Sequence, residues 1–307
     1  MRVIRVARVR PQLLALSAPG GWLGGLTGSQ DISWAVQIVE AGRLVVVDSV
    51  VRANEAASGG GVSASAAADV VLDGCLLVGN SAAGSGGGIA LTEAAAVSIN
   101  GTAVEGNSAG ADGGGLAVFD AAIAAATAAA FRGNVAGGCG GAVSTASAQP
   151  MLLAGAVALT FNRAGGAGGA LCLLPLLPSN ISCPASESPG MVAGVIGQAV
   201  LDEGAVVTAQ NNFAQGGGGG IFFGCAGPPG PARSALAGGR SGRDGWVLLN
   251  NTAGYGEAVA SMPFSLVIPR SFGRASQFFK SPCQVPRPRF RLVSRGRRLA
   301  ESAACPL

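Results

Sequence analysis

Few side chains in this 307-residue chain can act as acids, bases or nucleophiles, and their types decide which chemistries remain. There is no His, so a Ser-His-Asp triad, an imidazole metal site and imidazole proton transfer are excluded within it. The one Lys is Lys280, and no Gly-x-x-x-x-Gly-Lys-[Ser/Thr] loop, Gly-x-Gly-x-x-Gly turn in a strand-to-helix context or Gly-x-Ser-x-Gly elbow is present. What is left is carboxylate chemistry, from Asp69, Asp73, Glu93, Glu105, Asp112, Asp120, Asp202 and Glu203. Cleavage of a polysaccharide would need two of these, or a carboxylate with Arg, on one face of a sheet. Asp202 and Glu203 are adjacent and in a strand would face opposite sides. Asp73 and Asn100 each precede a Gly and read as a repeated turn. Asp112, beside a Gly step, lacks the Gly-Gly-x-Gly-x-Asp repeat of a calcium site. No catalytic residue, metal ligand or cofactor is therefore assigned.

Cysteine offers a second chemistry. The seven residues Cys75, Cys139, Cys172, Cys183, Cys225, Cys283 and Cys305 form an odd set without the CxxC spacing of a metal site. Cys172 and Cys183 flank a Pro-rich stretch, and a disulfide between them would close a surface loop, as in secreted chains. Buried free thiols are the competing reading. Asn100, Asn180 and Asn250 each begin an Asn-x-Ser/Thr triplet, a possible glycosylation site if the chain is exported.

Whatever these residues do, a repeat must position them. An apolar residue, two variable residues, Asn, one variable residue, then a small residue and a Gly-rich step recur through the chain. The Asn positions are Asn54, Asn80, Asn107, Asn134, Asn162, Asn212 and Asn251. Successive steps are 26, 27, 27 and 28 residues, then 50, then 39, a period in the range of solenoids. Helical repeats need paired amphipathic helices and few glycines. Here every unit carries several glycines, separated by short apolar or alternating runs such as Ile89 to Thr92, Val97 to Ile99 and Thr102 to Val104. Such runs read as strands, about three to a coil. Stacked coils would pair each strand with its copy at about 4.8 Å, giving parallel sheets. The spacing thus predicts an all-β chain, a right-handed parallel β-helix of about seven coils. One Asn per coil would stack as a ladder, and the apolar residue three before it would point into the bore. The Ala-rich run from Ala121 to Ala130 favours a helix by propensity, but the unchanged step from Asn107 to Asn134 requires strands there.

Apolar-x-x-Asn followed by Gly-Gly-[Ile/Leu/Ala/Val] resembles the repeat of the chlamydial polymorphic outer membrane proteins and of related right-handed β-helix proteins with a pectin-lyase-like fold, over about Val51 to Met262. That family's Phe-x-x-Asn occurs with Phe once, at Phe131 to Asn134, and the other copies use Val, Leu or Ala. The resemblance implies a secreted or cell-surface adhesive or structural module.

Three segments follow from composition. Residues 1–30 form a poorly ordered basic N-terminal segment, 31–267 the repeat domain, and 268–307 a basic, Pro/Arg-rich tail. The 50-residue step holds an insertion near 173–190, with room for a hidden coil from Met191 to Val200, and the 39-residue step holds one near 225–245. From Ala53 to Phe264 there are five Arg against twelve Asp or Glu, so the formal net charge of +4 arises at the ends. The basic tail lacks an interleaved nucleic-acid motif, and no apolar run reaches the roughly 18 residues of a spanning helix. The expected function is a non-enzymatic structural or adhesion module, extracellular or at the cell surface, presenting a rigid face to a protein or a glycan. Two alternatives are a carbohydrate-active β-helix enzyme and a fragment of a larger surface receptor. No nucleic acid is expected as a partner, and the oligomeric state is left open.

Overall fold

A chain that must return to the same place every 27 residues or so can do it with short strands and tight corners, and the computed structural model of the protein is built that way. The structure describes residues 14–17, 22–26, 31–32, 36–39, 42–120, 122–147, 149–174, 199–224, 236–237 and 245–262. Every strand pairing among them is parallel and joins one coil to the next, which makes the protein an all-β parallel solenoid. One coil shows the plan: Ile89–Leu91 lies in a first sheet, Ala96–Asn100 in a second, Ala103–Glu105 in a third and Ser108–Ala109 in a fourth. The four sheets contain nine, eight, eight and seven strands. The spacing does not predict the fourth strand, which is two residues long after each ladder Asn from Asn54 to Asn162 and lengthens to five and four residues after Asn212 and Asn251. A two-residue strand is too short for an alternating pattern to reveal it.

The coil count is about five at the 27-residue spacing rather than seven. Each Asn copy stands for a regular coil only where its step is regular, and the last two steps are 50 and 39 residues. No hidden coil fills the longer step, because Asn162 bonds Asn212 directly. Both insertions leave the solenoid at one corner, after the first-sheet strands Leu171–Leu173 and Ile221–Gly224. Their interiors, and the tail 268–307, lie outside the described residues. The segment 1–30, which composition sets apart, contributes Leu14–Ser17 and Trp22–Leu26 to the first and second sheets.

Alternate side chains of each strand fill the bore. In the row three before the ladder Asn, Val51, Leu77, Val104, Phe131, Leu159 and Ala209 are buried and the last, Leu248, is partly buried against the core. The Ala-rich run forms the strand Ile123–Thr127. Its Ala124 and Ala126, with Ala122 and Ala129, are buried in the coil that also holds Phe131, so small residues on one wall leave space for a large one on another. Dense packing of this kind overrides helix propensity.

The Asn ladder closes the corner between the third and fourth sheets. In each of six steps one Asn donates from Nδ2 to the Oδ1 of the next at 2.9–3.0 Å. Its backbone N–H donates to the same oxygen at 2.9–3.2 Å. From Asn80 onward Nδ2 also donates to the carbonyl of the apolar residue one coil back, Val51 being the first. An inner Asn such as Asn134 is fully buried, with both side-chain polar atoms satisfied.

Three substitutions separate the forces involved. Asn134→Ala takes away the acceptor of the Asn107 backbone N–H, one of the two bonds of Asn107 Nδ2 and the Asn134 amide bond to the carbonyl of Val104, and is expected to cost about 3 kcal/mol. Gly114→Ala puts a Cβ against the carbonyl of Gly141 and the backbone of Val135, whereas a Cβ at Gly106 meets nothing but holds φ at +59°. The first should cost more than about 3 kcal/mol and the second about 1 kcal/mol. Urea unfolding of the full chain checks both, and equal costs would refute the close-approach account.

Candidate functional site

Because inward positions are committed to packing, chemistry available to a partner lies on the outward rows. Coil stacking sets those rows in register. Along the fourth sheet one row runs Glu55, Ser81, Ser108, Val135, Arg163, Phe213 and Thr252. Along the third sheet a parallel row runs Arg52, Val78, Glu105, Arg132, Thr160, Gln210 and Leu249. The corner between them carries Ala53, Gly79, Gly106, Gly133, Phe161, Asn211 and Asn250, one before each ladder Asn, all with positive φ.

Most of the carboxylates that the sequence singles out are engaged locally. Asp69 and Asp73 share the outward face of one strand, with roughly 13 Å of strand between their backbones. Asp69 is taken by Arg43, at 3.1 Å in an exposed pair worth about 0–1 kcal/mol. Asp202 and Glu203 sit in a turn, where Asp202 accepts the N–H of Glu203 at 2.8 Å. Asp112 accepts the N–H of Cys139 at 2.7 Å and so ties its coil to the next. Glu93 sits in a turn and Asp120 ends the strand Leu116–Asp120, both at positive φ. Asp73 and Asn100 are register partners before glycines at positive φ. Among the described residues no group of three Cys, Asp or Glu side chains could hold a metal.

The disulfide differs from the one expected. Cys172 is joined to Cys139, with Cα atoms 5.8 Å apart and 33 residues between them in sequence, and so cannot also pair with Cys183, which lies outside the described residues. Closeness in sequence suggested the loop closure; stacking brings the Gly-rich step of one coil beside the first-sheet strand of the next. There Cys172 and Cys139 pack with Phe222, Ala260, Leu174, Ala167 and Tyr255 in a small apolar cluster. Cys75 is a buried free thiol. It donates to the carbonyls of Val46 and Asp73, and burial above all pushes its pKa above the ordinary thiol value.

Of the three Asn-x-Ser/Thr sites, Asn250 is exposed with Thr252 also exposed. Asn100 ends a strand half-buried, with the Thr102 hydroxyl donating to its carbonyl at 2.9 Å. Asn180 lies outside the described residues.

Two further features have no sequence signal of their own. The guanidinium of Arg132 lies over the ring of Phe161 at 5.8 Å to the centroid, and that of Arg163 over Phe213 at 4.7 Å. Each pair joins residues on adjacent coils, 29 and 50 positions apart, so only the coil register shows them. Phe161 is 54% exposed and carries φ of +57°.

Comparison with known protein families, curated proteins and solved structures finds no match. No helix among the described residues is long and apolar enough to cross a membrane.

Replacing both Cys139 and Cys172 by Ala should lower stability by about 3–4 kcal/mol on the loop-entropy scale for this spacing, measured by urea unfolding. Cys75, protected by burial and held as the thiol, should escape iodoacetamide at pH 8 in the native protein and react after denaturation, read by peptide mass spectrometry. Native alkylation at the rate of an exposed thiol would contradict its placement.

Proposed function

We propose that this chain is a non-enzymatic structural or adhesion module of the cell surface or extracellular space, holding outward side chains in fixed rows for a protein or glycan partner. The observation that carries this reading is the contrast between the two faces of each coil. The ladder position is Asn in each of the seven successive copies from Asn54 to Asn251, and the residue three before it is apolar in each of them. The fourth-sheet outward row instead changes from acidic Glu55 through Ser81, Ser108 and Val135 to Arg163 and Phe213. A frame that repeats while its surface varies presents different groups at set spacings without refolding, as solenoid binding surfaces do.

The Cys139–Cys172 bond supports an oxidising compartment, where such bonds persist. The exposed Asn250 site is compatible with export. The repeat's resemblance to surface β-helix proteins points the same way and remains part of the proposal.

The test is a glycan and protein array probed with the full chain made through a secretory route, with a polysaccharide-cleavage assay on the same preparation. Binding of a defined ligand class with no release of new reducing or unsaturated ends is expected. Release of such ends would overturn the non-enzymatic reading. No binding on either array would overturn the surface-module reading.

A further inference from the structure

Along the corner between the third and fourth sheets, one exposed ring follows three bare coils. The vertical row one before each ladder Asn holds φ between +49° and +64°, and there Gly79, Gly106 and Gly133 are succeeded by Phe161. A Cβ at any of those three glycines would meet open space, so the corner needs no side chain for packing. Phe161 places a ring there nonetheless, on a backbone where a bulky residue is an outlier, and leaves it largely in water. A strained residue that serves neither the turn nor the core is a marker for function.

This order makes the corner complementary to itself. If a second copy is turned end over end about an axis crossing the corner midway between Gly106 and Gly133, the two corners run antiparallel. Gly106 of each copy then meets Gly133 of the other, with no side chain holding the backbones apart. One coil further out, the ring of Phe161 meets the bare backbone of Gly79 of the second copy, and symmetry repeats the contact on the other side of the axis. A knob faces a hollow twice.

The charges obey the same symmetry. Glu105 and Arg132 are register partners on adjacent coils beside the corner, yet they do not pair with each other. The guanidinium of Arg132 lies instead over Phe161 of the following coil, and the ion pair formed among the described residues is Arg43–Asp69. In the antiparallel arrangement each Glu105 faces Arg132 of the second copy, giving two pairs across one axis. On the other flank Arg163 faces Ser81 of the second copy, with Glu55 one coil beyond. Moving the axis by half a coil would set Glu105 on Glu105 or Arg132 on Arg132, so charge fixes the register.

We propose that this corner is a two-fold interface to a second copy of the chain, with Phe161 seated over Gly79 and Glu105 bonded to Arg132 in both directions. Such an interface uses one patch twice and closes on itself. It stands whatever else the surface binds. The six coils from Asn54 to Asn212 face one another, about 4.8 Å apart, over roughly 24 Å. Two side-chain rows of that length bury on the order of 400 Å² per copy, about half of a standard interface, so the dimer belongs to the weak, concentration-dependent class. The acidic excess of the repeat body does not oppose it, because along these two rows Arg52, Arg132 and Arg163 stand against Glu55 and Glu105. Charges more than about 10 Å away are screened at about 0.1 M salt.

Sedimentation equilibrium of the full chain between about 10 and 500 μM tests this. The wild type should form dimers with a dissociation constant inside that range, weakening as salt rises. Glu105→Arg and Arg132→Glu, each alone, should sediment as monomers, since each turns both ion pairs into like-charge contacts. An equimolar mixture of these two variants should dimerise again, because every Arg then faces a Glu, and so should the chain that carries both changes. Phe161→Gly, the residue three other coils use at this place, should keep or raise the melting temperature while weakening association about tenfold or more. A wild type that stays monomeric to about 500 μM, a dimer indifferent to either charge reversal or to Phe161→Gly, or reversals that neither mixing nor combination rescues would each overturn the two-fold.

Discussion

The constraint on which the rest of the structure depends is that every coil must satisfy its backbone on the coils above and below it. Consecutive coils bond not only through their strands but through their corners, as in the run from the N–H of Gly60 to Gly86, Gly87 to Gly113 and Gly114 to Gly140. Carbonyl oxygens of one coil then lie where a side chain of the next would start, which is why Gly114 and Gly87 cannot be enlarged without moving the backbone. The ladder answers the same demand at the neighbouring corner. Each inner Asn accepts twice and donates twice, so a buried turn that would otherwise strand polar groups has none left over. The amide is needed for this: a shorter hydroxyl could not span two coils, and a carboxylate would bring charge into a buried stack.

Fixing the corners frees the rest. Inward positions need only apolar volume that sums correctly around a coil, so Phe131 can stand with Ala124 and Ala126 in one coil while Val104 stands with Val97 and Ile99 in the one before. Outward positions need even less, and vary in charge and size. Insertions are admitted where the first sheet hands over to the second, because the chain can leave and return there while Asn162 still reaches Asn212 and Asn212 still reaches Asn251. Local stability in such an array is a sum of coil and neighbour terms, and a disulfide between adjacent coils acts on that sum directly.

What the sequence reveals follows from this division. Period, strand class, the Asn positions and the apolar row beside them are legible, because corner and core demand particular residue types in every coil. The short strand Ser108–Ala109 and its copies are not, since two residues carry no period. Nor is the Cys139–Cys172 pair, whose partners meet through stacking and not through loop closure. The length of the 50-residue step leaves room for a hidden coil, yet the step is one coil with an excursion, since the ladder bond is indifferent to what happens elsewhere in the turn. The stacked pairs Arg132 with Phe161 and Arg163 with Phe213 were equally hidden: their residues belong to the variable faces, and only the coil register places them together.

A repeat in which each coil is held by two neighbours can also carry a locally unfavourable residue. The left-handed backbone at Phe161 costs about 1–2 kcal/mol relative to Gly, a sum smaller than what the ladder bonds of Asn162 alone contribute at about 1 kcal/mol each. The strain sits immediately before a residue whose side chain and N–H are locked to the coils on both sides, so the corner cannot relax by moving. A flexible loop would shed the same strain by changing conformation and would lose the ring's position with it. Rigidity at the ladder is therefore what permits an exposed aromatic to be held at a fixed place on the surface.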